Sequence, residues 1–325
     1  MKIGTTDISK IYIGSTEVTS GYLGTVSIYT SVEPLDPTEP FYIKNPNNSA
    51  ITVTIKRNNN SAPSLSIQYS SDNTTWTTLG TTSTSGLTIS VPSNSKMYFR
   101  CSATAWAYSS YYNYFTATSS FNIGGNILAL LYGSSFTGEE TSLPSVSSAS
   151  FYSLRSLFKD SVNLIDASRL MLPATTLITG CYQYMFSGCT GLTTAPKTLP
   201  ATTLQQNCYQ QMFSGCTSLT TPPELPATTL ANYCYQGMFT GCTSLTTAPD
   251  LPATSLNNYC YGAMFDSCSS LNYIKCLATS INATNCTYGW VNGVSATGTF
   301  VKKTSMSSWT TGNNGIPSGW TIQNA

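Results

Sequence analysis

Apolar and polar positions alternate with three different rhythms along this 325-residue chain. In residues 1–30, Ile3-Gly4, Ile13-Gly14 and Leu23-Gly24 recur every ten residues, with Ile8, Val18 and Ile28 following at the same spacing. Alternation punctuated by glycine predicts short strands joined by tight turns. Thirty residues bury too little to stand alone, so this segment is expected to dock onto a neighbouring domain or to assemble with other chains. Ser31 to Pro40 holds Pro34, Pro37 and Pro40 among the acids Glu33, Asp36 and Glu39, and reads as an extended, semi-rigid spacer. From 41 to 121 a period of two returns in Ile51–Ile55, Leu65–Ile67, Leu87–Val91 and Met97–Cys101, separated by polar turn clusters. Short strands at that cadence predict a β-sandwich.

From Gly124 the rhythm lengthens. A unit that opens at Cys181, Cys208, Cys234 and Cys260 reads Cys-Tyr-x-x-Met-Phe-x-Gly-Cys in its first three copies and closes on Leu-Pro-Ala-Thr-Thr/Ser-Leu in all but the last. Segments of this length are each too small to bury a core, and they stack so that successive coils cover one another. Cys, Tyr, Met, Phe and Cys at positions 1, 2, 5, 6 and 9 fall on one helical stripe. Gly188, Gly215 and Gly241 sit where a helix C-terminal stop is expected. The following Leu-Thr-Thr predicts a brief strand ended by Pro196, Pro222 or Pro249. Each coil is thus expected to hold one short helix and one or two extended segments. Residues 151–177 form a degenerate first coil, with Leu157-Phe158 in the Met-Phe slot and Ser161 in that of Cys189, and Trp290-Val291 continues the slot at the far end. The predicted fold is mainly β with short helices: an N-terminal β-repeat segment (1–30), a Pro-rich linker (31–40), a β-sandwich (41–121) and a repeat solenoid with two caps (122–325).

Composition narrows the chemistry. Only 8% of residues are charged and the net charge is +1, against roughly 25% charged residues in an average protein. No basic cluster is present to attract nucleic acid or an anionic membrane. Histidine is absent, which removes the usual general base and the commonest metal ligand, and with them any Ser-His-Asp or Cys-His centre. No cofactor motif is found, and the expectation is a protein without enzymatic activity. The paired cysteines have no CxxC spacing, which fits zinc poorly. Equivalent cysteines on adjacent coils lie within bridging range, but their number, 11, is odd. Stacked, reduced thiols acting as small apolar core residues are expected. The N-terminus has no apolar signal region, and no stretch is long enough to insert in a membrane.

Two sets of residues are candidates for ligand binding. Trp106, Tyr108, Tyr112 and Tyr114 share one parity; on one strand they form either a flat face for sugar stacking or an aromatic core face. Between otherwise identical coils, specific recognition belongs to the positions that differ. Lys197, Glu224, Asp250 and Lys275 occupy one such slot, and Tyr184 and Gln211 another, the alternative being solvated positions free to vary.

The unit Met-Phe-Ser-Gly-Cys-Thr-Ser-Leu-Thr-Thr-x-Pro with Leu-Pro-Ala-Thr-Thr-Leu resembles the BspA-type leucine-rich repeat of gut Bacteroidetes and their phages, over about residues 151–291. The tail Gly298-Thr-Phe…Ile316-Pro-Ser-Gly-Trp320 is similar to that family's C-terminal cap. The decads beginning Lys2-Ile-Gly-Thr-Thr resemble the opening of Bacteroides phage tail and appendage proteins, including crAss-like ones. Together the resemblances imply a virion protein, a tail or head fibre made in the host cytoplasm. It would attach to other virion proteins through residues 1–30, form a homo-oligomer such as a trimer, and bind a host surface glycan or protein. A purely architectural virion component and a bacterial surface adhesin are the alternatives. The family supplies no catalytic residues, and Leu277-Ala278 departs from its Leu-Pro turn.

Overall fold

The computed structural model describes residues 34–145, 151–307 and 309–325, and between residues 2 and 30 the backbone of six short strands. The chain divides into two compact units, Met1–Asp36 and Pro37–Ala325. In the first, β1 (Lys2–Ile3) pairs with β2 (Thr6–Asp7), β3 (Tyr12–Ile13) with β4 (Thr16–Glu17), and β5 (Ser20–Leu23) with β6 (Val26–Thr30), all antiparallel. Each decad is therefore a separate hairpin, closed at Ile3–Thr6, Ile13–Thr16 and Leu23–Val26.

The second unit opens with strands β7 (Tyr42–Lys44), β8 (Ile51–Arg57), β9 (Ser66–Ser70), β10 (Thr77–Thr81), β11 (Leu87–Val91), β12 (Lys96–Arg100), β13 (Ala107–Tyr108), β14 (Tyr111–Ala117) and β15 (Phe121–Asn126). A four-residue helix, α1 (Ala129–Tyr132), precedes β16 (Phe151–Tyr152) and β17 (Leu164–Met171). Two sheets result, one in the order β10-β9-β12-β7-β15-β17 and the other β11-β8-β14-β13-β16. Their inner faces carry the period-two residues: Ile51, Val53, Ile55 and Phe115 on one, Ile43, Ile67, Phe99 and Ile123 on the other, all buried. Phe115 meets Phe41 and Phe99 across the gap, with ring centroids 5.4 and 5.5 Å apart.

Two expected boundaries are corrected. Residue 121 does not end a domain, because β15 carries the sheet onward and pairs in parallel with β17, a strand of the first coil. The spacer expected over 31–40 does not run free at its end. Asn126 takes the Glu39 carbonyl on its N–H (2.8 Å) and gives its Nδ2 to the Pro37 carbonyl (3.0 Å), while Glu39 pairs with Lys96 at 2.6 Å.

The expected helix in each coil is also corrected. Residues 180–189 form a ribbon of successive tight turns in which every fourth residue has positive φ: Gly180 (61°), Tyr184 (58°) and Gly188 (76°). The pattern recurs at Asn207, Gln211 and Gly215, at Tyr233, Gly237 and Gly241, at Tyr259, Ala263 and Ser267, and at Asn285, Gly289 and Gly293. Left-handed residues at that spacing forbid an α-helix. Odd-numbered residues donate within the ribbon, as Gln183 N–H to the Gly180 carbonyl, Met185 to Tyr182 and Ser187 to Tyr184 (3.1–3.2 Å). Even-numbered residues donate to the next coil, Tyr182 to Cys208, Tyr184 to Gln210 and Phe186 to Met212 (2.8–3.0 Å). Every backbone N–H and C=O from 180 to 188 is satisfied this way, so the ribbon is stable only when stacked.

Apolar slots consequently form columns. Phe158, Phe186, Phe213, Phe239 and Phe265 stack with centroids 5.2–5.8 Å apart. Tyr182, Tyr209, Tyr235 and Tyr261 stack at 5.7–6.1 Å and end on Trp290. All 11 cysteines are buried free thiols. Those of Cys189, Cys216, Cys242 and Cys268 each donate to a phenylalanine carbonyl of the preceding coil at 3.0–3.2 Å. Ser161 donates in the same way to the carbonyl of Phe115. Strand β14 of the sandwich is therefore the layer on which the first coil rests. At the other end, β18 (Tyr273–Cys276), β19 (Thr299–Lys302) and β20 (Thr321–Asn324) form a parallel sheet.

Candidate functional site

Each full repeat's ribbon buries its Cys, Tyr, Met and Phe and turns most of its remaining positions outward, Gln183 being buried. The inter-coil bonds, which span 25–27 residues, align these into columns. One column runs Arg155, Gln183, Gln210, Gln236, Gly262, Tyr288, a second Ser156, Tyr184, Gln211, Gly237, Ala263, Gly289, and a third Lys159, Ser187, Ser214, Thr240, Asp266, Asn292. The middle is uniform. Gln183 Nε2 donates to Gln210 Oε1 and Gln210 Nε2 to Gln236 Oε1, an amide ladder along the stack. The two ends differ from the middle and from one another.

At the sandwich end the columns meet the outer face of β14. Asn113, Phe115 and Ala117 point inward, leaving Tyr112 and Tyr114 on the outside with ring centroids 5.7 Å apart. Lys56 on β8 places its Nζ 5.5 Å from the Tyr114 centroid, and Lys159 lies 5.7 Å from that of Tyr112. The Arg155 guanidinium lies between two further rings, 4.8 Å from Tyr152 and 5.3 Å from Tyr184. It also donates to the Ser109 carbonyl at the β13–β14 turn, whose tip carries the exposed Tyr108. Asp160 is the one carboxylate paired here among the described residues, 3.9 Å from Lys159. Burial, followed by the Asp160 charge, holds the Tyr112 phenol above its ordinary pKa, so it stays a neutral donor. Four tyrosines and three cations thus form one band across sandwich and coils. Aromatic faces receive sugar C–H surfaces, and cations held against rings remain available to acidic groups.

Tyr112, Tyr114 and Tyr184 fall in this band, and Gln211 lies further along the same face. Tyr108 does not, because its register partner is Tyr111, which puts it on the opposite face of the sheet from Tyr112. Trp106 does not belong to it, which corrects the shared-face expectation. The chain reverses at Ser109 (φ 54°), so residues 106 and 112 lie on opposite arms of a hairpin and their parity is not continuous. Trp106 is buried, stacked 5.6 Å from Phe115, with Nε1 donating to the Leu130 carbonyl at 3.0 Å. Sequence reasoning missed Lys56, Tyr152, Arg155 and Lys159. The last two sit in the degenerate coil at slots that hold Gln and Ser in later copies, a departure visible in the alignment of the copies.

Lys197, Glu224, Asp250 and Lys275 form a separate line. Glu224 N–H donates to the Lys197 carbonyl at 2.9 Å, and Asp250 pairs with Lys275 at 2.6 Å, raising the Lys275 pKa. Glu224 and Asp250 border a shallow depression of about 370 Å³ walled by Pro222, Pro223, Pro226, Pro249 and Pro252. With two of its four charges neutralising each other at the surface, this line offers less to a ligand than the band does.

Among the described residues, no group of three or more Cys, Asp or Glu is placed to hold a metal ion, and no helix is long and apolar enough to cross a membrane. Comparison with protein-family models, with curated proteins and with solved structures finds no match to this chain.

Proposed function

We propose that this chain is a non-enzymatic phage appendage protein, a tail or head-fibre adhesin. In this reading its coils form a leucine-rich-repeat solenoid of the BspA type, and their outward columns bind a glycan of the host surface. Residues 1–30 would attach it to the virion and to further copies of itself. The observation that carries the reading is the gathering of Tyr112, Tyr114, Tyr152 and Tyr184 with Lys56, Arg155 and Lys159 on one face, in a chain otherwise poor in charge. Rings and cations in that arrangement suit a polysaccharide that carries acidic groups. Affinity would come from many weak contacts multiplied by the copies on one particle.

The test is binding of the purified full chain, presented multivalently on beads, to Bacteroides cells and to an array of acidic and neutral glycans. Arg155→Gln combined with Lys159→Gln is expected to reduce acidic-glycan and cell binding by about tenfold, the loss of roughly 0.5–1 kcal/mol per cation. Absence of cell binding by the wild-type beads, or equal binding by the double variant, overturns the adhesin and favours an architectural virion part.

A further inference from the structure

The far end of the same columns holds a different set of side chains. Where earlier coils place Gln183, Gln210 and Gln236, the fourth copy has Gly262 and the fifth Tyr288. The ladder ends there, and Tyr288 stands 61% exposed beside the gap left by Gly262. In the next column the side chains shrink from Tyr184 and Gln211 to Ala263 and Gly289, and a Cβ built on Gly289 would meet nothing within 4 Å. In the third, Ser187 and Ser214 give way to Asp266 and Asn292. The result is a depression of about 480 Å³ lined by Ala263, Asp266, Tyr288, Gly289, Asn292, Asn313 and Asn314, within the roughly 300–1,000 Å³ of small-ligand sites.

Its polar groups are held in place by one another. Asp266 Oδ1 accepts from Asn292 Nδ2 at 2.9 Å and from Ser267 Oγ at 3.2 Å. Asn313 Nδ2 donates to Asn292 Oδ1 at 3.1 Å, and Asn314 Oδ1 accepts the Gly289 N–H at 2.6 Å. These bonds leave Asp266 Oδ2, Asn313 Oδ1 and Asn314 Nδ2 without a partner among the described residues. Two acceptors, one amide donor and an exposed phenol ring therefore surround an open floor.

We infer that this depression is a saccharide subsite for a neutral hexopyranose. The sugar's apolar C–H face would lie on the Tyr288 ring, while Asp266 Oδ2 and Asn313 Oδ1 accept its hydroxyl hydrogens and Asn314 Nδ2 donates to a hydroxyl oxygen. Pre-oriented groups of this kind bind a polyol without the ordering cost of free side chains. Asp266 is the one carboxylate lining the depression and no cation lines it, so a uronic acid or other anionic sugar is disfavoured. The inference rests on the reading of this face as glycan-binding, and it assigns the two ends to different sugars, acidic at Arg155 and neutral at Tyr288.

Saturation-transfer NMR on the full chain with methyl gluco-, galacto- and manno-pyranosides tests it. At least one glycoside is expected to bind, with Tyr288→Phe retaining binding and Tyr288→Ala and Asp266→Asn each weakening it about tenfold. Thermal melting of each variant guards against misfolding, and Tyr288 is exposed enough to be replaced. No transfer to any of the three glycosides, or equal transfer in Tyr288→Ala, overturns the subsite. Loss of the subsite with cell binding intact refutes this inference alone. Glycoside binding by a chain that ignores host cells supports the subsite and refutes the adhesin.

Discussion

Raising the pH should unfold this protein abruptly, for a reason built into its cysteine columns. Burial pushes the thiols of Cys101, Cys181, Cys234, Cys268 and Cys276 up to about 12, and it raises those of the other six as well. In the unfolded chain a thiol ionises near 8.5. Below that pH both states hold the proton and the contribution to stability is fully present. Above it the unfolded chain releases the proton while the native state keeps it, so stability falls as pH rises, until the folded pKa is reached. The slope is a little over 1 kcal/mol per pH unit for each thiol. At pH 10 each of the five has lost about 2 kcal/mol, roughly 10 kcal/mol before the other six add to the loss, against a total stability of about 5–15 kcal/mol for a typical domain. The phenols of Tyr182, Tyr209, Tyr235 and Tyr261, held well above their ordinary value by burial, extend the same trend at higher pH. The assay is urea unfolding followed by tryptophan fluorescence, with a phosphine reductant, at half-unit steps from pH 6.5 to 11. The midpoint should be level to about pH 8, fall steeply above it, and reach zero urea by about pH 10. A midpoint that stays level to pH 10.5 would refute the burial of the thiols in the folded state.

Two packing predictions follow from the columns. Phe213→Ala removes a ring stacked 5.2 Å from Phe186 and 5.6 Å from Phe239, and should cost about 3–5 kcal/mol in chemical denaturation; a loss under 1 kcal/mol would mean the column is not close-packed. Gly191→Ser installs the residue that Ser218, Ser244 and Ser270 hold at the same slot, yet it should destabilise by about 1–3 kcal/mol, because a Cβ there runs into the Val162 carbonyl; an unchanged melting temperature would contradict that contact.

Much of the architecture is legible in the residues because core slots repeat. The mainly β composition follows from the period of two in 51–101, and the 26-residue recurrence locates the Phe and Tyr columns. The ribbon escaped because positions 1, 2, 5, 6 and 9 satisfy a repeat of four as well as one of 3.6. Gly188 carries the clue to a left-handed residue, but Tyr184 and Gln211 adopt the same conformation without being glycine. The boundary at 121 was misplaced because pairing of β15 with β17 is decided between segments some 40 residues apart. The tyrosine band was half visible. Tyr112, Tyr114 and Tyr184 stand out by type, whereas Lys56, Arg155 and Lys159 join them only once the first coil rests on β14. The depression at Tyr288 is three-dimensional in origin, since Gly262, Gly289 and Asn314 become one surface only after stacking.

The ribbon's division of hydrogen bonds, half within a coil and half to the next, also sets how the protein answers force. A pull along the stack places the inter-coil bonds in tension one layer at a time, while bonds inside the following layers bear none of it. Each yielding layer then frees about 26 residues, close to 90 Å of extended chain. A molecule of this design lengthens in steps under load, and each step lowers the tension carried along the stack.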